Sequence, residues 1–210
     1  MVKDQIEARG IRDADVVQAM GRVARHLFVP ADSRDQAYED TPLSIGHGQT
    51  ISQPFMVARM TEVCAIQKTD VVLEVGAGSG YQAAILAQLC DHVFAVEIIP
   101  ELCRQAEENL RAAGVTNVTV RNLDGTAGWM EHAPYDIILV SAGAPEVPAM
   151  LVDQLRPQGG RLVLPVGERS RQVLQRITRH GDRYETLDDT PCRFVDLVGR
   201  YGWGGETPKA

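Results

Sequence analysis

The chain has 210 residues, 44% of them hydrophobic, enough to bury one sizeable core. Its formal net charge is −7 and it has no run of Lys or Arg, which argues against a nucleic-acid partner, while no apolar stretch approaches the roughly 18 residues of a membrane span. Four cysteines and five histidines are scattered without a zinc or redox spacing, and the first ten residues lack the apolar core of an export signal, so a cytoplasmic protein without a metal site is expected.

Residues 3–29 carry apolar side chains at helical spacing (Val16, Val17, Met20, Val23, Ala24). Gly10 splits the segment into two short helices, Asp13 caps the second, and Pro30 ends the region. Residues 39–52 read as a polar, Gly-rich loop. A helix follows from Ser52 or Gln53 to about Ala65, with Ser52 as N-cap and Pro54 in the first turn. Strands are then expected at Val71–Val75, Val93–Glu97, Val118–Val120, Asp136–Val140 and Arg161–Pro165. Helices alternate with them at Tyr81–Cys90, Pro100–Ala113 and Val147–Leu155. Strands that are apolar throughout indicate a parallel sheet covered on both faces, hence a doubly wound α/β fold with an N-terminal helical extension and β additions at the C-terminal end. Residues 171–199 suggest two strands turning at His180-Gly181-Asp182, then a last strand near Phe194–Leu197.

The densest signal is Leu73-Glu74-Val75-Gly76-Ala77-Gly78-Ser79-Gly80-Tyr81, between the first sheet strand and the first helix. Ligands of doubly wound folds bind there, at strand carboxyl ends beside a helix N-terminus. A nicotinamide fingerprint needs a third glycine where Tyr81 stands, and a nucleophile elbow needs glycines at Ala77 and Tyr81. The G-x-G-x-G spacing with Glu74 ahead of it is similar to the first motif of S-adenosylmethionine methyltransferases. Glu97, ending the second strand, can accept hydrogen bonds from ribose hydroxyls. Asp124, before Gly125, can take the adenine amine as donor.

Arg25-His26-Leu27-Phe28-Val29-Pro30, Thr50-Ile51-Ser52-Gln53-Pro54, Pro134-Tyr135-Asp136, Gly160-Arg161-Leu162-Val163-Leu164-Pro165 and Arg193-Phe194-Val195 join these glycines in a wider pattern. From about Gln5 to Leu197 the chain resembles the protein-L-isoaspartate O-methyltransferases. The resemblance implies methyl transfer from S-adenosylmethionine to the free α-carboxylate of L-isoaspartyl residues in aged proteins and peptides, by a monomeric protein. It makes Ser52 the active-site serine, with Thr50, Ile51 and Val195 beside the substrate. Glu74, Gly76, Gly78, Gly80, Glu97, Asp124 and Gly125 fall at the cofactor. Three regions within one domain are expected: residues 1–65 helical and substrate-facing, 66–167 the cofactor core, 168–210 strands and tail. Leu123, Phe55 and Asp196 depart from the family pattern; Asp196 stands where a proline is usual, which leaves methylation of another carboxylate as the alternative.

Overall fold

The computed structural model describes residues 1–204; the rest of the tail, 205–210, lies outside the described residues. Two single turns, Val2–Ile6 and Glu7–Arg9, stop at Gly10 (φ 99°), and α1 follows at Ala14–Arg22. Asp13 caps α1, its Oδ1 accepting from the backbone N–H groups of Asp15 and Val16 at 2.9 and 3.2 Å. The remainder of the expected helix is two 3₁₀ turns, Arg25–Phe28 and Ala31–Gln36, on either side of Pro30.

The segment read as a loop holds a hairpin. β1 (Leu43–Gly46) pairs antiparallel with β2 (Gln49–Ile51) around His47 and Gly48, both at positive φ. Its apolar content is small: buried Leu43 and Ile51 are register partners, and no longer alternation announces the pair. α2 then runs Pro54–Cys64. Its N-cap is Gln53, not Ser52, and Ala65 closes it in the left-handed conformation (φ 50°).

The central sheet is built from β3 (Val71–Val75), β4 (His92–Glu97), β5 (Val118–Asn122), β6 (Ile137–Val140), β7 (Gln158–Glu168), β8 (Arg171–His180) and β9 (Arg183–Cys192). Their order is β5-β4-β3-β6-β7-β8-β9, parallel through β7 and antiparallel thereafter. α3 (Tyr81–Leu86), α4 (Pro100–Ala112) and α5 (Ala149–Asp153) connect the parallel strands; α3 and α5 are shorter than the sequence suggests.

Alternation along the strands divides the core. Val72, Ile137, Leu139 and Val163 pack with α1, α2, α3 and α4 on one face, and Leu73, Val75, Ile138, Val140 and Leu164 pack with Trp129, Tyr135 and α5 on the other. The last expected strand does not join the sheet. Residues 194–197 run beside Gly143, whose N–H donates to the Val195 carbonyl while its carbonyl accepts from Leu197 N–H, both at 2.8 Å. The chain then turns at Gly199 (φ 145°), so only β10 (Val198–Gly199) and β11 (Trp203–Gly204) pair, as a separate two-stranded ribbon. No described helix is long and apolar enough to cross a membrane.

Candidate active site

Strand order reverses at β3, whose neighbours are β4 on one side and β6 on the other. The turns leaving these carboxyl ends diverge, and a crevice opens between them. It is a cavity of about 300 Å³ with Val75, Gly76 and Gly78 on one wall, Glu97, Ile98 and Ile99 on another, and Gly125 at its base. A larger cavity of about 680 Å³ adjoins it, bounded by Ser52, Phe55 and Met56 of the α2 segment and by Thr190–Val195, the end of β9 and the residues after it. Thr50, Ser141, Val195 and Asp196 line both, so the two spaces meet at a wall of four residues.

The glycines shape the smaller cavity in different ways. Gly76 and Gly78 adopt positive φ (87° and 53°) and bring bare backbone to the space. A Cβ on Gly125 would lie 2.5 Å from Val75 Cγ1 and 2.9 Å from Val96 Cγ2, so the base of the cavity admits no side chain there. Gly80 borders neither cavity. It is the N-cap of α3, and a Cβ there would come within 3.4 Å of Leu110 and Ala106 on α4, so its role in this structure is close helix packing.

The three expected carboxylates differ as much. Glu97 lines the smaller cavity and accepts from Gly78 N–H at 2.8 Å and Ile99 N–H at 3.0 Å, one bond per oxygen. A carboxylate oxygen has two lone-pair directions, so each keeps capacity for a ligand donor. Asp124 lies outside the cavity lining: Oδ1 accepts from the N–H and hydroxyl of Thr126, and Oδ2 from Arg200 N–H at 2.8 Å, which makes it the clasp of the β10 turn. Leu123 meets the same region through its backbone, its N–H donating to the Glu97 carbonyl. Glu74 is wholly buried beneath the glycine turn, bordering a small void of about 40 Å³ together with Ser52, Tyr81 and Ser141.

On the other side, Thr50 is exposed on β2 and faces both cavities, whereas Ile51 is 4% exposed and belongs to the core. Ser52 is half-buried, and its carbonyl accepts from Arg25 Nη2 at 2.8 Å. Arg25 is itself wholly buried, donates through Nε to the Ala37 carbonyl and lies 4.8 Å from the Tyr81 ring centre. Burial pulls its pKa below the usual guanidinium value, while neighbouring Tyr81 opposes the shift. The α2 N-terminus is satisfied from elsewhere: Asp40 Oδ1 accepts from Phe55 N–H at 3.3 Å, and its Oδ2 accepts from Gln53 Nε2 and Arg9.

Arginines dominate the charge of the larger cavity. Arg9 lies 3.6 Å from the Phe55 ring centre, Arg193 is exposed at the rim, and Arg169 pairs with Asp196 at 2.7 Å while lying 4.4 Å from the Trp203 ring centre. Trp203 donates through its indole N–H to the Gly143 carbonyl and so fixes the 194–197 segment; Trp129 is packed away from both cavities. His47 borders the smaller cavity at positive φ. Sequence reading overlooked Ser141 and the arginines. Ser141 directly follows a fully buried parallel strand, and that location at the carboxyl edge of the sheet was the available signal.

A family model described as protein-L-isoaspartate(D-aspartate) O-methyltransferase matches residues 1–202. The protein-L-isoaspartate O-methyltransferase of Geobacter metallireducens is 53% identical over 207 residues, covering 98% of this chain and 95% of the relative. That of Methanoculleus marisnigri is 52% identical over 98% of this chain and 93% of its own. Among solved structures, a protein-L-isoaspartate O-methyltransferase superposes with a TM-score of 0.86 at 29% identity, over 96% of this chain and 67% of its own length. A Plasmodium falciparum enzyme of that description, in complex with S-adenosyl-L-homocysteine, superposes with a TM-score of 0.78 at 30% identity over 94% and 96% of the two chains. With the family pattern running through the fold and both cavities, the chain belongs to the protein-L-isoaspartate(D-aspartate) O-methyltransferase family.

Proposed function

We propose that the protein transfers a methyl group from S-adenosylmethionine to the free α-carboxylate of L-isoaspartyl residues in altered proteins and peptides, a repair reaction. One observation carries this reading beyond family membership: a donor-sized and an acceptor-sized cavity meet at a four-residue wall on the carboxyl edge of the sheet. The smaller cavity fits the cofactor, because bare glycine backbone, a carboxylate with spare acceptor capacity and a base too tight for any Cβ converge there. Gly76, Gly78 and Gly125 would hold it through close backbone approach, and Glu97 through the ribose hydroxyls. Glu74 and Asp124 stand behind: one lies beneath the turn and bonds Ser141, the other secures the loop carrying Gly125. S-adenosylmethionine supplies a methyl group already activated on a sulfonium.

The chain's own contribution is placement. An α-carboxylate with a pKa of about 3.5 is ionised at neutral pH, so no general base has to move a proton. Ser52 and Thr50 hold the carboxylate at the shared wall, Ile51 fixes their strand in the core, and Val195 closes the opposite side against water. Holding the reacting atoms in line and keeping water out are the main sources of rate in such a site. Both cavities are complete within one chain, in keeping with a monomer, and four unpaired cysteines accord with the cytoplasm.

Initial rates on one peptide sequence in L-isoaspartyl and L-aspartyl forms test the reading. The isomers carry equal charge, so discrimination has to come from geometry, and methylation of the isoaspartyl form alone is expected. Equal rates, or faster methylation of the aspartyl form, would instead favour a methyltransferase for another carboxylate.

A further inference from the structure

Ser141 is held rigidly at the point where the two cavities meet. Its backbone N–H donates to the Val75 carbonyl at 2.8 Å, and it borders both cavities and the small void that Glu74 also borders. Its Oγ lies 3.2 Å from Glu74 Oε1, while Glu74 Oε2 has no partner among the described residues. Burial pushes the Glu74 carboxyl well above the usual carboxylate range; the hydrogen bond with Ser141 opposes this, and the charge of Glu97 reinforces it. Burial thus favours the neutral carboxyl, and in that form the group is a donor as well as an acceptor. With the proton on Glu74, the 3.2 Å bond that Ser141 Oγ otherwise donates to Oε1 runs the other way, from the carboxyl to the hydroxyl oxygen. A hydroxyl has one proton and rotates freely, so once its oxygen accepts from below, its own O–H is directed into the cavities.

We propose that Ser141 is a second hydroxyl donor to the substrate carboxylate, holding it from the sheet side while Ser52 holds it from the α2 side. The inference rests on reading the site as an isoaspartyl methyltransferase. Two donors on different elements define the plane of the carboxylate, whereas one leaves it free to swivel. Glu74 is then a positioning residue that acts through Ser141.

Three variants decide it: S141A, S141T and the isosteric S141V. For each, S-adenosylhomocysteine affinity is measured by calorimetry, isoaspartyl-peptide affinity is measured at saturating S-adenosylhomocysteine, and kcat and KM are determined. Loss of a hydrogen bond to a charged group corresponds to about 10–100-fold in kcat/KM. S141A and S141V are expected to lose that much and to bind peptide several-fold more weakly, with S-adenosylhomocysteine affinity within about twofold of the unaltered protein. S141T is expected to recover most of the loss. Equal activity of S141T and S141V, or parallel loss of peptide and S-adenosylhomocysteine affinity, would overturn the role. Failure of the underlying reading looks different: the unaltered protein would bind S-adenosylhomocysteine yet leave isoaspartyl peptides unmethylated, and the Ser141 role would fall with it.

Discussion

Ser52 is available to a substrate because Asp40 performs the task that its position suggested. The first free N–H of α2 is met by Asp40 Oδ1, and Ser52 stands one residue outside the cap. Ser52→Ala is therefore expected to change stability by less than about 0.5 kcal/mol while lowering methyl transfer, whereas Asp40→Ala should cost about 1 kcal/mol. Thermal melts and rate constants on the same samples check both. The Asp13 cap of α1 was legible because donor and acceptor are two and three residues apart; the Asp40 cap was not, because fifteen residues separate it from Phe55. Glu74 gives a second expectation. Between the ordinary carboxylate range and its raised pKa, the folded chain keeps a proton that the unfolded chain has released, so stability falls as pH rises through that window. Glu74→Gln removes this dependence. Its melting temperature should gain on that of the unaltered protein as pH rises from about 4 to about 8; a constant difference across that range would mean that Glu74 is ionised in the fold.

Elements are tied together by one carboxylate on α2. Glu62 Oε1 accepts from the backbone N–H groups of Arg12 and Asp13 at 2.7 and 3.0 Å, just ahead of α1, and its Oε2 accepts from Arg59 at 2.7 Å. Arg59 in turn reaches Asp189 on β9, so α1, α2 and the far edge of the sheet share one network. Glu62→Ala should cost about 1–3 kcal/mol, which for a chain of this size lowers the melting temperature by about 2–10 °C. A shift below about 1 °C would show that solvent replaces these bonds at little cost. None of this was visible in the sequence, since Glu62 reads as an ordinary acid on an amphipathic helix. The parallel strands were visible because β3 and β6 are apolar nearly throughout, as burial on both faces demands. The β1–β2 hairpin and the 194–197 segment have no such signature. One is a few residues long with a single buried pair, and the other is held by Gly143 and Trp203 rather than by a neighbouring strand.

Across the whole molecule the net charge is −7, yet the charged residues lining the larger cavity are Arg9, Arg169, Arg193 and Asp196. An anionic peptide is repelled at long range and attracted at short range. At low ionic strength an isoaspartyl peptide flanked by Glu should be methylated about 2–10-fold faster than the same peptide flanked by Lys, with the ratio shrinking towards one at about 0.5 M salt. Initial rates at several salt concentrations check this, and a preference for Lys-flanked peptides would show that the global field prevails. The switch from parallel to antiparallel pairing after β7 has a further consequence. The parallel strand ends frame the smaller cavity, while the β8–β9 hairpin ends at Thr190–Cys192 and continues into Arg193 and Phe194 along the larger one. Heredity can therefore edit the two cavities at different speeds: substitutions between residues 169 and 194 can retune which damaged chains are accepted, leaving the glycine turn as it was.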